Sequence, residues 1–264
     1  AGSQARQEQL AHSDQDNAII ICDSMKPYDD AWFENLAHFV CDGLAACGYI
    51  YCPGNIMATN SQWRQPQRVW RRYFTDWVQR PTPQALLNSS VFFDLSTVYG
   101  DETLLQDIRC ELLEMTKANT LLESHLSRNA LQMRPPLGFF RDFVLVSQGE
   151  HKDSLDLKHS GIAPIVELAR IYALALGIDA VNTVARLEAA AASSMLTRAS
   201  ADSLIDAFEF LCNLRLQHQS RQMAQGEAPN NFLLPKQISK LEREHLKDAF
   251  KVIKTLQDVR NKGL

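Results

Sequence analysis

The spacing of apolar positions along this chain changes near residue 100. Before that point, short apolar runs alternate with segments of helical spacing, which is typical of a protein that mixes strands and helices. The apolar runs predict strands near residues 18–22, 49–52 and 91–96, and the helical spacing predicts helices near residues 31–47 and 67–79. After that point, helical spacing dominates. We therefore predict the α+β class, with a mixed sheet and flanking helices in residues 1–100 and an all-α helical bundle in residues 101–264.

The helical half contains recognisable boundary residues. Its helices are predicted near residues 163–177, 200–225 and 237–260. Gly177 has the position of a residue that ends the first of these helices. Ser239 and Glu242 have the spacing of a capping box at the start of the last one. A hairpin between residues 143–146 and 155–158 is predicted to interrupt the helical pattern.

Composition excludes several classes of protein. The 264 residues are 45% hydrophobic with a net charge of −4, so we expect neither a nucleic-acid nor a membrane partner, and we expect a cytoplasmic protein. No phosphate-binding P-loop or dinucleotide-binding glycine pattern is present. The six cysteines lack zinc-site spacing, so we expect free thiols, several of them buried. They are Cys22, Cys41, Cys47, Cys52, Cys110 and Cys212.

Three carboxylates are the candidate catalytic residues and metal ligands. Asp14 and Asp16 are two residues apart in an extended segment, so both side chains point to one face. Asp94 lies in a later apolar run that is predicted to be a neighbouring strand. Carboxylate oxygens suit Mg²⁺ or Mn²⁺. Two such ions can hold the attacking and leaving oxygens of a displacement at phosphorus.

A turn at the start of the chain is the candidate phosphate-binding element. Gly2 lets the backbone approach a phosphate closely, and Ser3 is predicted to cap a following helix whose free N–H groups attract anions. Arg6 could reach a triphosphate oxygen from the first turn of that helix. Gly-Ser and Asp-x-Asp are each common in surface turns. It is their order, followed by an apolar strand and a later Asp, that favours a metal site over a solvated turn.

An aromatic stripe and a basic stripe run along the predicted helix 67–79. The aromatic stripe consists of Trp63, Trp70, Phe74 and Trp77, and the basic stripe consists of Arg64, Arg68, Arg71 and Arg72. We interpret the aromatic side chains as core and the arginines as cover for its edge. One or two arginines facing a triphosphate is a second interpretation, and nucleic-acid binding by charge and stacking is the least favoured.

The chain resembles a bacterial family of nucleotidyltransferases of unknown function, within the superfamily of DNA polymerase beta and related to PII uridylyltransferase and glutamine synthetase adenylyltransferase. The segments that carry the resemblance are GSQARQEQ, SDQDNAII, ACGYIYCPGNIMATN, WRQPQRVWRRYF, FFDL, RPPLGFFRDFVL, LDLKHSGIAPIVELARIYAL and LEREHLKDAFKVI. The resemblance implies that Asp14, Asp16 and Asp94 bind metal and that Gly2 and Ser3 bind phosphate. It also implies that residues 101–264 are a substrate-binding domain.

The same resemblance implies a reaction and its partners. A nucleoside monophosphate, UMP or AMP, would pass from a nucleoside triphosphate to an acceptor hydroxyl on a protein, in signal transduction. Members of the family are commonly fused to CBS or cyclic-nucleotide-binding sensor domains, which would lie upstream. Lys158 lies in a segment similar to one near the catalytic cleft of the two glutamine-regulatory enzymes, where it could neutralise phosphate charge. A strand-end lysine in solvent is the alternative.

Two departures from the family pattern leave other functions open. Ser96 stands where related proteins often have an arginine, two residues after the third Asp. The fold normally has an apolar strand before the Gly-Ser turn, whereas this sequence begins at Ala1, so we expect a fragment that lacks the first strand and is a poor enzyme. A catalytically inactive nucleotide-binding regulatory module and a small-molecule nucleotidyltransferase are the alternatives.

Overall fold

The chain forms two compact units, each with its own core. The computed structural model describes residues 1–11, 13–138 and 142–262, and the units are Ala1–Lys117 and Ala118–Leu264. The first unit mixes helices with short strands and the second is mainly helical, which confirms the predicted α+β class. The first unit includes the helix Thr103–Thr116, so it extends beyond residue 100.

The first unit contains five α-helices and four short strands among its described residues. The helices are α1 (Gly2–Ala5), α2 (Asp30–Ala46), α3 (Gln67–Gln79), α4 (Pro83–Phe92) and α5 (Thr103–Thr116). The strands are β1 (Asp14–Gln15), β2 (Ile19–Ile21), β3 (Ile50–Tyr51) and β4 (Arg64–Pro66). Short 3-10 helices lie at Pro27–Asp29 and Ser61–Trp63. The predictions of α2, α3, β2 and β3 are confirmed.

The strands of the first unit form two parallel pairs. β1 pairs with β3, with Asp14 opposite Ile50 and Gln15 opposite Tyr51. β2 pairs with β4, with Ile19 opposite Arg64. Parallel pairing needs a long crossover, and in the first pair the helix α2 provides it. The register of β1 on β3 therefore fixes which residues of two distant segments lie side by side.

An aromatic cluster forms the core behind these strands. Trp63, Trp70, Phe74, Trp77 and Phe92 are all buried. The rings of Trp63 and Phe92 lie 4.4 Å apart between centroids, and those of Trp77 and Phe92 are stacked at 5.8 Å. Rings in offset or edge contact at such distances add to the stability that burial provides. The interpretation of the aromatic stripe as core is confirmed.

The predicted strand at residues 91–96 is wrong, because this apolar run is the end of a helix. Thr82 caps α4 by accepting a hydrogen bond from the Ala85 backbone N–H, and Pro83 occupies the first helical turn. Phe92 ends α4, and Asp94 follows one residue after the cap. A short apolar run looks the same in a buried strand and in a buried helical turn, and the cap upstream decides between them.

The second unit contains five α-helices and one pair of strands among its described residues. The helices are α6 (Thr120–Ala130), α7 (Ala163–Leu176), α8 (Thr183–Ala191), α9 (Arg198–Ala224) and α10 (Lys240–Lys262). The strands are β5 (Leu155–Asp156) and β6 (Phe232–Leu233), and a π-helical turn spans Lys158–Ile162. A short 3-10 helix covers Pro235–Gln237. α7 packs against α8, and α9 packs against α10.

Helix α7 is the centre of the second unit, because it is mostly apolar and buried along nearly its whole length. Gly177 ends it with φ 69°, a left-handed conformation that glycine adopts without strain, as predicted. The predicted capping box is also present: Ser239 Oγ accepts from the Glu242 N–H at 3.1 Å, and the Glu242 carboxylate accepts from the Ser239 N–H at 2.7 Å. In the part of the chain that the structure describes, no helix is both long and apolar enough to cross a membrane.

The predicted hairpin is wrong in its pairing. Leu155–Asp156 pairs antiparallel with Phe232–Leu233, far along the chain. The segment near Val146 does turn back, since the Val146 N–H donates to the Ser154 carbonyl at 3.0 Å, but residues 143–146 form no strand. A partner more than 70 residues away cannot be read from local spacing.

Candidate metal and nucleotide site

Alternation along β1 places two carboxylates on one face. Gln15, between them, points the other way, is 1% exposed and donates to the Cys41 carbonyl at 3.0 Å. Asp14 and Asp16 point to the opposite face and are half-buried. The predicted sharing of a face by Asp14 and Asp16 follows from the two-residue period of the strand.

The register of β1 on β3 adds a thiol to this face. With Gln15 opposite Tyr51, one further step along both segments brings Asp16 beside Cys52. One ligand atom of each of Asp14, Asp16 and Cys52 lies within 4.8 Å of the other two. Among the described residues, this is the group of three His, Cys, Asp or Glu side chains that could hold a metal ion. We call Asp14, Asp16 and Cys52 the thiol–carboxylate cluster.

Asn17 fixes the backbone around the cluster. Its N–H donates to the Ile56 carbonyl at 3.1 Å, and its side-chain oxygen accepts from the Ala58 N–H at 2.9 Å. The Cys41 thiol donates to the same oxygen at 3.5 Å. Asn17 therefore ties the end of β1 to the loop after Cys52, and this keeps the thiol near the carboxylates.

The surroundings of Cys52 raise the pKa of its thiol. Burial raises its pKa from 9.0 to about 11, and a hydrogen bond to the Asp16 carboxylate adds to the shift. Both causes favour the neutral thiol, because a thiolate would lose solvation and be repelled by the carboxylate. The cluster without a metal ion therefore contains a protonated sulfur at neutral pH.

Gly2 lies between Asp16 and Asp94. Its φ is +58°, which glycine adopts without strain, and a Cβ at this position would lie 3.4 Å from Asp16 Oδ2. Its N–H donates to the Asp94 carbonyl at 2.9 Å. The backbone of Gly2 thus brings the segment of Asp94 next to that of Asp16, and the missing side chain leaves space beside the Asp16 carboxylate.

Asp94 is fully buried and pairs with Arg6. Arg6 Nη1 lies 2.6 Å from Asp94 Oδ2, and Arg6 Nε lies 2.7 Å from Glu8 Oε2. The exposed fractions of the Arg6, Glu8 and Asp94 side chains are 12%, 8% and 0%. We call these three residues the arginine–carboxylate cluster. Because Arg6 binds two carboxylates here, the predicted contact of Arg6 with a phosphate stays a prediction, as does metal binding by Asp94.

Ser3 does not cap a helix, contrary to expectation. The helix α1 begins at Gly2 and has only four residues, so Ser3 lies inside it and no side chain caps its start. Such a short helix has little macrodipole to attract an anion. The physical reason is that the left-handed Gly2 itself begins the turn. A contact between Ser3 and phosphate stays a prediction that rests on resemblance.

Lys158 lies in the second unit, at the start of the π-helical turn, and is half-buried. Its N–H donates to Asp156 Oδ1 at 3.0 Å. His159 Nδ1 lies 2.8 Å from the other oxygen of the same carboxylate. Asp156 therefore organises this turn, and phosphate binding by Lys158 stays a prediction.

Three arginines of the basic stripe pair with acidic residues of the first unit, and one of them, Arg64, lies in β4 rather than in α3. Arg64 is buried and donates to the Ala58 carbonyl at 2.7 Å and to Asp30 at 3.2 Å. Arg68 pairs with Asp23. Arg71 pairs with Asp107 and Glu111. These contacts agree with the interpretation that the arginines cover the edge of the core.

Cys52 is the site residue that sequence reasoning missed. All six cysteines are free thiols as expected, and Cys41 and Cys52 are buried, but Cys22 is exposed although it follows an apolar run. Thirty-six residues separate Asp16 from Cys52 in the sequence. The register of β1 on β3 brings these two residues together, and local spacing in the sequence does not reveal that register.

The side chains of the cluster fit a divalent cation. Two carboxylates supply hard oxygen donors, a thiol supplies a softer one, and the space left by Gly2 adjoins Asp16. A separation of 4.8 Å or less is close to what one ion bound at about 2.0–2.3 Å from each ligand requires. Nucleotidyl transfer is among the reactions that use such ions.

Comparison with protein families agrees with the geometry. Residues 1–84 match the family described as "Putative nucleotidyltransferase DUF294". Residues 120–262, more than half of the chain, match "Putative nucleotidyltransferase substrate binding domain". No curated protein matches the chain. The chain therefore belongs to this nucleotidyltransferase family, whose function is unknown.

Proposed function

We propose that this protein is a metal-dependent nucleotidyltransferase that moves a nucleoside monophosphate from a triphosphate to an acceptor hydroxyl. The observation that carries the proposal is the convergence of Asp14 and Asp16 on one face, with Gly2 beside Asp16 and bonded to the backbone of Asp94. Three separate segments meet there, and each contributes a residue type that the reaction needs.

The proposed reaction forms one bond to phosphorus and breaks another. The acceptor oxygen attacks the α-phosphorus, the bond from that phosphorus to the bridging oxygen breaks, and pyrophosphate leaves. A divalent cation, Mg²⁺ or Mn²⁺, would supply Lewis-acid stabilisation of the charge on the phosphates. Asp14 and Asp16 would hold it. The Gly2 backbone, free of a side chain, lets a phosphate approach the two carboxylates.

Asp94 is the proposed acceptor of the hydroxyl proton and a further metal ligand. Its carboxylate is fully buried against Arg6, so Arg6 has to move before Asp94 can take the proton. When triphosphate binds, Arg6 could turn from Asp94 toward a phosphate oxygen, since guanidinium binds both partners in the same geometry. The exchange would free Asp94 at the moment the substrate arrives. Ser3 and Lys158 are further proposed phosphate contacts.

The second unit is proposed to bind the acceptor. The description of its matched family names a substrate-binding domain. A protein acceptor, transfer of UMP or AMP, a role in signal transduction and sensor domains upstream are proposed from the resemblance alone, and a cytoplasmic location is proposed from the composition.

Label transfer tests this proposal. The chain is incubated with bacterial lysate, Mn²⁺ or Mg²⁺, and ATP or UTP labelled at the α-phosphate, and label in acid-insoluble protein is measured together with pyrophosphate. Label and pyrophosphate should appear together, and Asp16→Asn should abolish both. Asp202→Asn, at an exposed acidic residue of α9, is the matched control and should retain both. Equal labelling with Asp16→Asn, or no pyrophosphate from either nucleotide, would contradict the proposal.

A nucleotide-binding regulatory module is the second candidate. The pairing of Arg6 with Asp94 favours it, since the arginine competes with a cation for this carboxylate, and Ser96 is exposed where an arginine is common in related proteins. This candidate predicts metal-dependent nucleotide binding without any pyrophosphate release. The same assay with a parallel binding measurement separates the two.

A further inference from the structure

The cation ligands on the β1 face include a sulfur atom. Cys52 sits opposite Asp16 because of the parallel register, and its Sγ belongs to the group of three ligand atoms that lie within 4.8 Å of one another. Its neighbours hold it there: the Asn55 N–H donates to the Cys52 carbonyl at 2.9 Å, which closes a turn. A Cβ on Gly54 would lie 3.6 Å from Cys52 Sγ, so the turn packs closely on the sulfur.

The second buried thiol of this region is placed differently. Cys41 belongs to the same small apolar cluster as Cys52, together with Met57. Its sulfur, however, donates to the Asn17 side chain at 3.5 Å and is not part of the thiol–carboxylate cluster. The two thiols share one apolar environment and differ in their hydrogen-bond partner and in their distance from the carboxylates.

We propose that Cys52 is a third ligand of the cation held by Asp14 and Asp16, and that the site therefore binds thiophilic divalent cations such as Zn²⁺, Co²⁺ and Cd²⁺ more tightly than Mg²⁺. Sulfur ligands select for softer ions, whereas carboxylates alone suit Mg²⁺. Binding exchanges the thiol proton for a metal–sulfur bond, and the proton passes to the solvent. The inference rests on the metal site of the proposed function and not on the transfer reaction.

Site-resolved alkylation tests the proposal in the unaltered chain. The reduced protein is treated with an alkylating reagent after brief mild denaturant pulses, with no metal, with Zn²⁺ or with Mg²⁺, and modification of each cysteine is measured by mass spectrometry. Zn²⁺ should slow modification of Cys52 more than that of Cys41, because stabilisation of the folded unit protects both thiols and ligation protects only Cys52. Mg²⁺ at the same concentration should show no such difference between the two thiols. Equal protection of both thiols by Zn²⁺, or no protection of Cys52, would overturn the proposal.

Cobalt absorption gives a second test that reports the sulfur bond itself. Co²⁺ is added to a variant in which the exposed Cys22, Cys47 and Cys110 are serine, and the thiolate-to-metal charge-transfer band in the near ultraviolet is recorded. The band should persist in the same background with Cys41→Ser and vanish with Cys52→Ser. Competition should show that Cd²⁺ affinity falls with Cys52→Ser by at least the ~10–100-fold that loss of a residue hydrogen-bonded to a metal ligand typically costs. A band that survives Cys52→Ser would refute the sulfur ligand.

The outcomes separate this inference from the proposed function. A cobalt band without pyrophosphate release would support the sulfur ligand and contradict the transferase. Pyrophosphate release with Mg²⁺ and no cobalt band would support the transferase and contradict the sulfur ligand. Circular dichroism of Cys52→Ser shows whether the variant is folded, and the alkylation result stands whether it is or not.

Discussion

The two carboxylate clusters of the first unit treat buried negative charge in opposite ways. In the arginine–carboxylate cluster, Arg6 supplies a positive charge from within the chain and holds Asp94 and Glu8 at hydrogen-bond distance. In the thiol–carboxylate cluster, the third member is the neutral thiol of Cys52. The first arrangement is structural as it stands. The second gains most from a cation that comes from outside.

The comparison shows what a sequence pattern leaves undecided about an acidic residue. Asp14, Asp16 and Asp94 looked equivalent in the sequence, and their neighbours in space differ in charge. The carboxylate of Asp94 is paired with an arginine of the chain, whereas Asp14 and Asp16 share one face with each other and with a thiol, and a divalent cation bound there would reduce their mutual repulsion. Variants of each cluster should therefore affect different properties.

The largest effect is expected from Arg6→Met. It leaves Asp94 and Glu8 without their counter-charge in a buried place, which typically costs about 3–5 kcal/mol. All four tryptophans, Trp32, Trp63, Trp70 and Trp77, lie in the first unit, so urea unfolding followed by tryptophan fluorescence reports on this unit. Arg80→Met, at an exposed pair with Asp76, is the control and should cost about 1 kcal/mol or less. If both variants lower the free energy of unfolding equally, Arg6 does not supply the main counter-charge of the arginine–carboxylate cluster.

The next effect is stabilisation by Mn²⁺. A ligand that binds only the folded state at 100 times its dissociation constant adds about 2.7 kcal/mol to the free energy of unfolding. Tryptophan-detected unfolding should shift accordingly with Mn²⁺, and Asp16→Asn should remove the shift. Asp202→Asn should keep it. A shift that survives Asp16→Asn would place the cation elsewhere.

A smaller effect is expected from Gly2→Ala. A left-handed conformation costs a residue with a Cβ about 1–2 kcal/mol, and the new atom would crowd the Asp16 carboxylate. Gly43→Ala is the matched control, because it lies in α2 with nothing near its Cβ and should stabilise by about 0.5–1 kcal/mol. Opposite signs in urea unfolding would support the left-handed conformation of Gly2. A stabilising Gly2→Ala would contradict it.

A further effect concerns pH. The Cys52 pKa is raised to about 11 from 9.0, so the folded state keeps a proton that the unfolded state loses. The stabilisation from the neutral thiol is therefore complete below pH 9.0 and is lost as pH rises to about 11. With a chelator present, the difference in unfolding free energy between the unaltered chain and Cys52→Ala should shrink across this range. A difference that stays constant with pH would mean that the pKa of the Cys52 thiol is not raised.

Local rules predicted the helical unit better than the site. Gly177 ends a helix and Ser239 caps one because each acts within a single turn of backbone, which the sequence contains completely. The aromatic core at Trp70 and Trp77 was predictable from helical spacing. Wherever a distant segment decided the outcome, prediction failed: β5 pairs with β6 rather than with residues 143–146.

The site shows the same division. The shared face of Asp14 and Asp16 follows from two residues of strand, and it was predicted. The pairing of Arg6 with Asp94 joins residues 88 positions apart, and the place of Cys52 depends on the register of β1 with β3; neither contact was predicted. Ser3 was misplaced because the positive φ of Gly2, one residue earlier, begins the helix.

The proposed function depends most on binding of a nucleotide through a divalent cation at the β1 face. Calorimetric titration with non-hydrolysable ATP and UTP analogues, each with and without Mn²⁺, measures this directly in the unaltered chain and in Asp16→Asn. We expect that binding of at least one analogue requires Mn²⁺, and that it weakens in Asp16→Asn by at least the ~10–100-fold that loss of a residue hydrogen-bonded to a metal ligand typically costs. Binding that is equal with and without Mn²⁺, or equal in the two proteins, would contradict the proposed function.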